Sequence, residues 1–334
     1  MHKDLRWLII ACLVRLAIPK GSLEKHVAEF LERAGYNLIG RERSYRPLIN
    51  DSDICVKILR PQEIPVYVYE GLHDIGITGL DWVLEQGLGD KLSILLELGV
   101  GRVKLVLATP KGSGYRDPED LIQRFADEGR ILRISTEYLN TSARYISSRR
   151  SYREIYGSSS PQIITPWGRW GENKMVQVIL SFGATEAKPP EEADAIIDVS
   201  ETGTTLESNG LEAIDVVLES QAVLIANPYS LKDRAKAEKI SDIVAIFRGV
   251  IDARSRYHIF INVRRSNLEE LLKILPALKS PTISPLADPE WVAINTVIGK
   301  EVLIRIMPVL RRLAQGLVVY EPKLVIPLED LGRG

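Results

Sequence analysis

The stretch Ala193-Asp-Ala-Ile-Ile-Asp-Val-Ser-Glu-Thr-Gly-Thr-Thr-Leu-Glu-Ser-Asn-Gly210 decides the architecture of the surrounding chain. An apolar strand at 195–199 runs into a loop of small, hydroxyl-bearing residues before a helical pattern resumes. Consecutive backbone N–H groups at such a turn form an anion-binding nest, which is strengthened when a helix begins there. The stretch therefore predicts a strand–loop–helix unit whose loop is suited to a phosphate group.

Two kinds of ligand-binding group occur in this loop. Hydroxyls and a glycine that allows close approach come from Thr202, Gly203, Thr204 and Thr205. The carboxylates of Asp198 and Glu201 flank them, and carboxylates accept hydrogen bonds from sugar hydroxyls or help to hold a metal that accompanies a pyrophosphate. The combination favours a phosphorylated sugar with Mg²⁺, although similar strand–turn–helix patterns in other proteins bind nothing.

Composition limits the remaining possibilities. The chain has 334 residues, enough for two or three domains, and its net charge of -1 gives no electrostatic footprint for nucleic acid. The apolar stretch at 5–14 is shorter than the ~20 residues that cross a bilayer. Cys12 and Cys55 are far apart in apolar surroundings, so we predict no disulfide, no metal knuckle and a reducing cytoplasmic location.

Read with Ser181-Phe-Gly-Ala-Thr-Glu186, the loop resembles the phosphoribosyl-pyrophosphate loop of the ATP phosphoribosyltransferases. Arg60-Pro61 together with 74–81 resembles the nucleotide side of the same family. The stretch Leu275-Pro-Ala-Leu-Lys-Ser-Pro-Thr-Ile-Ser-Pro-Leu-Ala-Asp-Pro-Glu-Trp-Val-Ala-Ile294 resembles the histidine-sensing domain of its long form. The resemblance runs in ordered blocks from 15 to 326, whereas the segment 161–173, with Trp167 and Trp170, has no counterpart.

The resemblance implies an α/β fold with a two-lobed catalytic half like a type II periplasmic binding protein and a C-terminal ferredoxin-like (ACT-like) βαββαβ regulatory domain. The expected domains are lobe I at 14–108 and 207–230, lobe II at 109–206, a connecting helix at 231–254 and the regulatory domain at 255–330. Apolar periodicity predicts strands at 15–18, 53–59, 74–81, 92–98, 102–108, 131–135, 176–180, 195–199, 214–218 and 222–225, with 214–218 and 222–225 returning to lobe I. It predicts helices from 22 to 35, at 118–127, at 137–147 and at 231–254.

The family reaction moves phosphoribose from phosphoribosyl pyrophosphate to N1 of ATP, giving phosphoribosyl-ATP and pyrophosphate in the first step of histidine biosynthesis. The resemblance implies Mg²⁺, inhibition by histidine, and homo-oligomers that are dimers and hexamers. Arg60 and Lys20 are expected at the leaving pyrophosphate, and Mg²⁺ on the substrate phosphates with Asp198. Expected phosphoribosyl-pyrophosphate contacts are Glu186, Asp198, Glu201, Thr202, Gly203, Thr204 and Thr205. Expected ATP contacts are Gly21, Asp74, Thr78, Gly79 and Asp81, and expected histidine contacts are Asn262, Thr282, Ser284, Leu286 and Ala287.

Two other classes of function remain open at this point. A solute-binding protein would share a two-lobed cleft, but it normally needs an export signal and no phosphate loop. A non-catalytic amino-acid sensor could be built on the C-terminal module alone. The residues themselves are compatible with the transferase, because adenine N1 is already a nucleophile and its attack needs no histidine base or catalytic triad.

Overall fold

The computed structural model describes residues 12–42, 44–201, 203–275 and 280–327. The chain divides into two compact units. The two-sheet unit consists of Val14–Val27 and Cys55–Lys232, and the C-terminal unit is built mainly from Ala28–Ile54 and the residues from Asp233 onwards.

The helices and strands follow one another in a mixed α/β order. The first half of the chain contains β1 (Val14–Pro19), α1 (Ser22–Arg33), β2 (Leu38–Ile39), β3 (Leu48–Ile49), β4 (Ile54–Leu59), α2 (Ile64–Tyr69), β5 (Ile75–Gly79), α3 (Leu80–Glu85), β6 (Ser93–Glu97), β7 (Val103–Pro110), α4 (Pro118–Asp127), β8 (Leu132–Thr136), α5 (Leu139–Ser147), α6 (Arg150–Tyr156), β9 (Pro161–Thr165) and β10 (Gly168–Trp170). The second half contains β11 (Asn173–Leu180), β12 (Ala195–Ser200), α7 (Thr204–Ser208), β13 (Leu211–Ser220), β14 (Ala222–Ala226), α8 (Arg234–Ala253), β15 (Arg256–Arg264), α9 (Leu268–Leu272), β16 (Thr282–Pro285), β17 (Trp291–Gly299), α10 (Lys300–Leu313) and β18 (Ala314–Tyr320).

The first sheet of the two-sheet unit has the strand order β4-β1-β5-β14-β6. Strand β5 is parallel to β1 and antiparallel to β14, so it lies at the centre of the sheet. All five residues of β5 are buried, and a Cβ at Gly76 would lie only 2.6 Å from the Ile64 side chain of α2. Glycine at this position lets the helix pack directly on the strand.

The second sheet has the order β10-β9-β11-β8-β12-β7-β13. Strands β7 and β13 pair antiparallel from Leu211 opposite Pro110 to Ser220 opposite Val103, with two register shifts that mark β-bulges. The prediction that 214–218 returns to the first lobe is therefore wrong, and 102–108 also belongs to the second sheet. Apolar alternation indicates a strand, but it carries no information about which sheet the strand joins.

The chain crosses between the two sheets twice, after β6 and after β13. The second crossing is a single residue, Gln221, between β13 in one sheet and β14 in the other. Two crossing connections between two α/β sheets are the arrangement expected for a two-lobed binding cleft. The predicted two-lobed fold is confirmed in this respect.

The C-terminal unit begins with a helix packed on aromatic rings. In α8, Phe247 is fully buried and meets Phe30 edge-to-face at 5.1 Å and Tyr36 at 6.1 Å. Near the start of α8, Lys239 forms ion pairs with Asp51 at 2.8 Å and Asp53 at 3.1 Å. The predicted long helix is confirmed, and these contacts place it in one core with residues from the N-terminal part of the chain.

The last six elements form the predicted βαββαβ module. Its sheet has the order β16-β17-β15-β18, and β15 is antiparallel to both of its neighbours, which is the ferredoxin-like topology. One face of the sheet is covered by apolar residues of α9 and α10, including Leu271, Ile306 and Leu310. The prediction of a ferredoxin-like C-terminal domain is confirmed.

Two further expectations concern cysteines and membranes. Both Cys12 and Cys55 are disulfide-bonded, so the prediction of no disulfide is wrong. Distance along the chain misled the sequence-based prediction, because a wide separation in sequence does not exclude a disulfide bond in the folded protein. None of the helices within the described ranges has the length and apolar character that crossing a bilayer requires.

Candidate functional site

A cleft of about 240 Å³ opens within the two-sheet unit. One wall comes from the ends of β1, β4 and β5, and the other comes from the end of β12 and the residues before α5. Six predicted site residues line it together, namely Lys20, Gly21, Arg60, Gly79, Asp81 and Asp198. Residues that are up to 178 positions apart in the chain are therefore brought to one cavity by the sheet topology.

Two cationic side chains stand side by side on the first wall. The Lys20 N–H donates to the Leu59 carbonyl at 2.8 Å, which places Lys20 beside Arg60 at the ends of two neighbouring strands. The buried Thr78 hydroxyl donates to the Pro61 carbonyl at 2.8 Å and so fixes the turn that carries Arg60. Both cationic residues are exposed, which suits them to an anionic ligand.

A buried carboxylate joins the two walls. Asp81 is 5% exposed and accepts hydrogen bonds from the Tyr138 hydroxyl at 2.7 Å and the Ser220 hydroxyl at 2.6 Å. Burial and the neighbouring Asp81 charge raise the pKa of Tyr138 well above its usual range, so this phenol remains a hydrogen-bond donor at neutral pH. A Cβ at Gly79 would lie 2.1 Å from the Asp81 carboxylate, and glycine is therefore required beside it.

A second carboxylate and an aromatic stack extend this connection. Glu85, at the end of α3, accepts hydrogen bonds from the N–H groups of Asn140 and Thr141, both at 2.8 Å, and so caps the first turn of α5. The ring of Trp82 stacks on that of Tyr138 with a centroid separation of 4.3 Å and an interplanar angle of 23°. Both contacts hold α3 against α5.

The opposite wall carries a group of carboxylates. Burial, assisted by the charges of Glu137 and Glu186, raises the pKa of Asp198 to about 6. The Val199 N–H donates to Asp198 Oδ1 at 2.7 Å and partly offsets this effect. A concentration of negative charge opposite Lys20 and Arg60 gives the cleft one cationic wall and one acidic wall.

The predicted phosphate loop follows β12. Gly203 has φ +83°, a left-handed conformation that favours glycine, and α7 begins at the next residue. The Gly203 N–H donates to the Ser200 hydroxyl at 3.0 Å. Thr204 and Thr205 are exposed in the first turn of α7. Glu201 is exposed and lines a separate cavity of about 530 Å³, and Thr202 lies outside the described residues.

Two predicted ATP contacts serve other groups in the structure. The Asp74 carboxylate is completely buried, binds Arg15 through Nε at 2.9 Å and accepts a hydrogen bond from the Ser230 hydroxyl at 2.8 Å. Thr78 donates its hydroxyl to the turn of Arg60, as described above. Neither residue is among those lining the cleft.

The predicted histidine contacts are grouped in the C-terminal module. Strand β17 lies between β15 and β16, and its Ala293 is paired with Asn262 of β15 and with Ser284 of β16. Thr282 of β16 is paired with Asn295. Cross-strand partners point to the same side of a sheet, so the three side chains share the face that α9 and α10 leave uncovered. Leu286 and Ala287 follow β16 in the turn towards β17.

The residues that line the cleft but were not predicted as site residues include Trp82, Glu137 and Tyr138, and Glu85 beside them was not predicted either. Glu137 and Tyr138 directly follow β8, but nothing in their spacing indicates that Tyr138 contacts Asp81. The contact joins residues 57 positions apart. Only the paired order of the strands brings them together.

The donor set allows a limited metal role. Across the described ranges, no group of three or more His, Cys, Asp or Glu residues has an arrangement that could hold a metal ion. Asp198 offers carboxylate oxygen, which suits Mg²⁺. Mg²⁺ commonly binds through one or two carboxylates together with substrate phosphates, and the residues present fit that mode rather than an all-protein site.

Two sequence profiles of known proteins match this chain. The sequence profile described as ATP phosphoribosyltransferase matches residues 60–249, and the profile described as HisG, C-terminal domain, matches residues 253–322. The chain belongs to the ATP phosphoribosyltransferase family. The C-terminal match identifies the long form, in which the catalytic half is followed by this additional domain.

Individual family members are similar over almost their whole length. The ATP phosphoribosyltransferase of Solibacter usitatus is 38% identical over 92% of this chain and 97% of its own, and that of Thermodesulfovibrio yellowstonii is 36% identical over 94% and 99%. Among solved structures, the ATP phosphoribosyl transferase (HisG:HisZ) complex of Thermotoga maritima matches with a TM-score of 0.53 and 29% identity, covering 72% of this chain and 98% of that one.

The raised pKa of Asp198 predicts how its replacement changes stability. Between about pH 4 and 6 the folded protein holds a proton that the unfolded chain releases, so the free energy of unfolding falls as the pH rises through this window. At pH 7 the buried charge costs about 2 to 3 kcal/mol. We expect Asp198→Asn to be more stable than the wild type by about this amount at pH 7 and equally stable below pH 4, as measured by urea unfolding. A stability difference of the same size at both pH values would contradict this assignment.

Proposed function

We propose that the protein transfers phosphoribose from phosphoribosyl pyrophosphate to N1 of the adenine of ATP, giving phosphoribosyl-ATP and pyrophosphate, the first step of histidine biosynthesis. The observation that carries the proposal is the cleft in which Lys20 and Arg60 face the acidic end of β12 at Asp198. Family membership over both halves of the chain supports the same reaction.

Phosphoribosyl pyrophosphate has two chemically different ends, a phosphorylated sugar and a pyrophosphate, and each wall of the cleft suits one of these ends. We assign its 5′-phosphate to the loop 201–205, where Thr204 and Thr205 form the first turn of α7 directly after Gly203. We assign the ribose hydroxyls to the carboxylates of Asp198, Glu186 and Glu201, because carboxylates accept hydrogen bonds that hydroxyls donate.

The departing pyrophosphate requires positive charge. Arg60 presents a planar guanidinium that can bind two oxygens at once, and Lys20 adds a point charge beside it. Asp198 would help to hold Mg²⁺ together with the substrate phosphates, and the ion would neutralise negative charge on the pyrophosphate. The protein residues then hold the leaving group in line with the attacking nitrogen.

ATP binds, in this proposal, along the first wall. Gly21 and Gly79 line the cleft without side chains and so allow a ligand to approach the backbone. Asp81 acts as a positioning residue that holds Tyr138. Asp74 and Thr78 do not line the cleft, and they stabilise the first wall through their contacts with Arg15 and with the Pro61 carbonyl. Adenine N1 carries its own lone pair, so catalysis depends on placing N1 close to C1′ of the ribose and on stabilising the leaving group.

The reaction itself is tested by pyrophosphate release from the full-length protein. Release should require both phosphoribosyl pyrophosphate and ATP, and it should stop when either substrate or Mg²⁺ is omitted. Binding of ligands without release would favour a solute-binding protein and would refute the proposal. We place the enzyme in the cytoplasm, where ATP is available.

Gly203 tests the phosphate loop. Gly203→Val introduces a branched side chain at a positive φ next to the expected 5′-phosphate, and we expect the KM for phosphoribosyl pyrophosphate to rise at least about tenfold, equivalent to about 1.4 kcal/mol. Gly157→Val is a matched control, because Gly157 has φ +65° and open space around it but belongs to the end of α6. Equal kinetics for both folded variants and the wild type would rule out the loop assignment.

Arg60 tests the leaving-group assignment. Arg60→Lys keeps the charge but loses the two-point contact, so we expect kcat to fall about tenfold or more under conditions in which chemistry limits the rate. Arg150→Lys, at an exposed arginine paired with Glu154, serves as the control. If Arg60→Lys retains the wild-type kcat, the role passes to Lys20.

Regulation is assigned to the C-terminal module, with histidine bound by Asn262, Thr282, Ser284, Leu286 and Ala287. Histidine can inhibit only by binding one state more tightly than another, so we propose that it shifts the protein from dimers towards hexamers. Thr282→Arg places a bulky cation on the uncovered sheet face and should abolish inhibition and the change in mass, while Ile304→Arg, on the exposed surface of α10, should preserve both. Absence of inhibition and of assembly change in the wild type at millimolar histidine would refute the regulatory assignment alone.

A further inference from the structure

The cleft contains an aromatic wall to which no role has been assigned. Trp82 lines the cavity together with Lys20, Arg60 and Asp198, and its ring stacks on Tyr138 at 4.3 Å. Tyr138 is in turn held by the Asp81 carboxylate, which also accepts the Ser220 hydroxyl. The orientation of the indole is therefore fixed by a buried network before any ligand arrives.

Space for a flat group lies beside this wall. Three residues of the cavity lining, Gly21, Gly79 and Gly101, have no side chain, and Gly21 has φ +89° with open space around it. Trp82 is partly exposed, whereas Tyr138 beneath it is 3% exposed. The stack therefore presents a rigid, partly exposed indole to the cavity.

The proposed reaction defines what this group must be. Attack requires adenine N1 to come within about 3–3.5 Å of the ribose carbon, so the base must lie between the cationic residues and Asp198. Trp82 lines that same cavity. We propose that Trp82 is the stacking platform for the adenine ring of ATP, which completes a three-ring stack with Tyr138; this inference rests on the proposed function.

This arrangement gives each part of the two substrates a distinct partner. In this proposal the leaving pyrophosphate meets Lys20 and Arg60, the 5′-phosphate meets the loop 201–205, the ribose meets Asp198, and the base meets Trp82. Stacking on a preformed aromatic surface fixes the plane of the purine and hence the direction of its N1 lone pair. Trp82 is therefore a specificity-determining residue for a flat aromatic base, and the energy of stacking contributes to ATP affinity but not to phosphate affinity.

Calorimetric binding to the full-length protein, without phosphoribosyl pyrophosphate, separates these contributions. Two probes are compared, ATP and inorganic tripolyphosphate, which carries the phosphates without the base. We expect Trp82→Leu to weaken ATP binding at least about fivefold and to leave tripolyphosphate binding unchanged, while Trp82→Phe retains most of the ATP affinity. Trp167→Leu is the matched control, because Trp167 is 71% exposed and is not among the residues lining the cleft.

Two outcomes would overturn the inference. If Trp82→Leu weakens both probes equally, Trp82 only supports the shape of the cleft. Should the leucine variant fail to fold, Trp82→Met, which also lacks an aromatic ring, provides the same comparison. If ATP binding is unchanged, the base lies elsewhere. Failure of the proposed function would be seen in a different measurement. The wild type would then release no pyrophosphate, independently of the results of the binding experiments.

Discussion

The carboxylate of Asp81 is the interaction on which the cleft depends. It is removed from water, which costs free energy, and it is stabilised by two hydroxyl donors at 2.7 and 2.6 Å. Those donors come from Tyr138, before α5, and from Ser220, at the end of β13 beside the single-residue crossing between sheets. One buried charge thus connects both walls and the crossing strand, and it explains why residue 79 is a glycine.

Charge is separated across the cleft that this carboxylate holds. Lys20 and Arg60 lie at the strand ends of one sheet, and Asp198 lies at the end of β12 in the other, with its pKa raised to about 6 by burial and by neighbouring acids. Burial beside other acids disfavours the ionised form of Asp198 when no ligand is bound. A hydrogen bond from a sugar hydroxyl, or a nearby cation, would stabilise the ionised form. In the proposed reaction the same separation places the ribose and the leaving pyrophosphate on opposite walls, so that catalysis relies on position and electrostatics.

Local patterns in the sequence were sufficient to predict much of the fold, because a strand–loop–helix unit such as 195–208 and the βαββαβ order depend on periodicity and turn residues. Long-range relations were not predictable in this way. The sheet that β13 joins, the pairing of Arg15 with Asp74, the disulfide-bonded cysteines and the contact of Tyr138 with Asp81 all depend on strand order. For the candidate site, Lys20, Arg60 and Asp198 were predicted from local motifs and line one cleft, whereas the stacked pair of Trp82 and Tyr138 became evident only from the structure.

The central claim is that the cleft places adenine N1 in line with the bond between C1′ and the pyrophosphate. Structure determination of the isolated product by NMR tests it most directly, because in-line displacement inverts the configuration at C1′. The account predicts a product in which phosphoribose is joined to N1 of ATP with the β configuration, opposite to that of the α-configured phosphoribosyl pyrophosphate. A product with retained configuration, with attachment at another nitrogen, or consisting only of ribose 5-phosphate would contradict it.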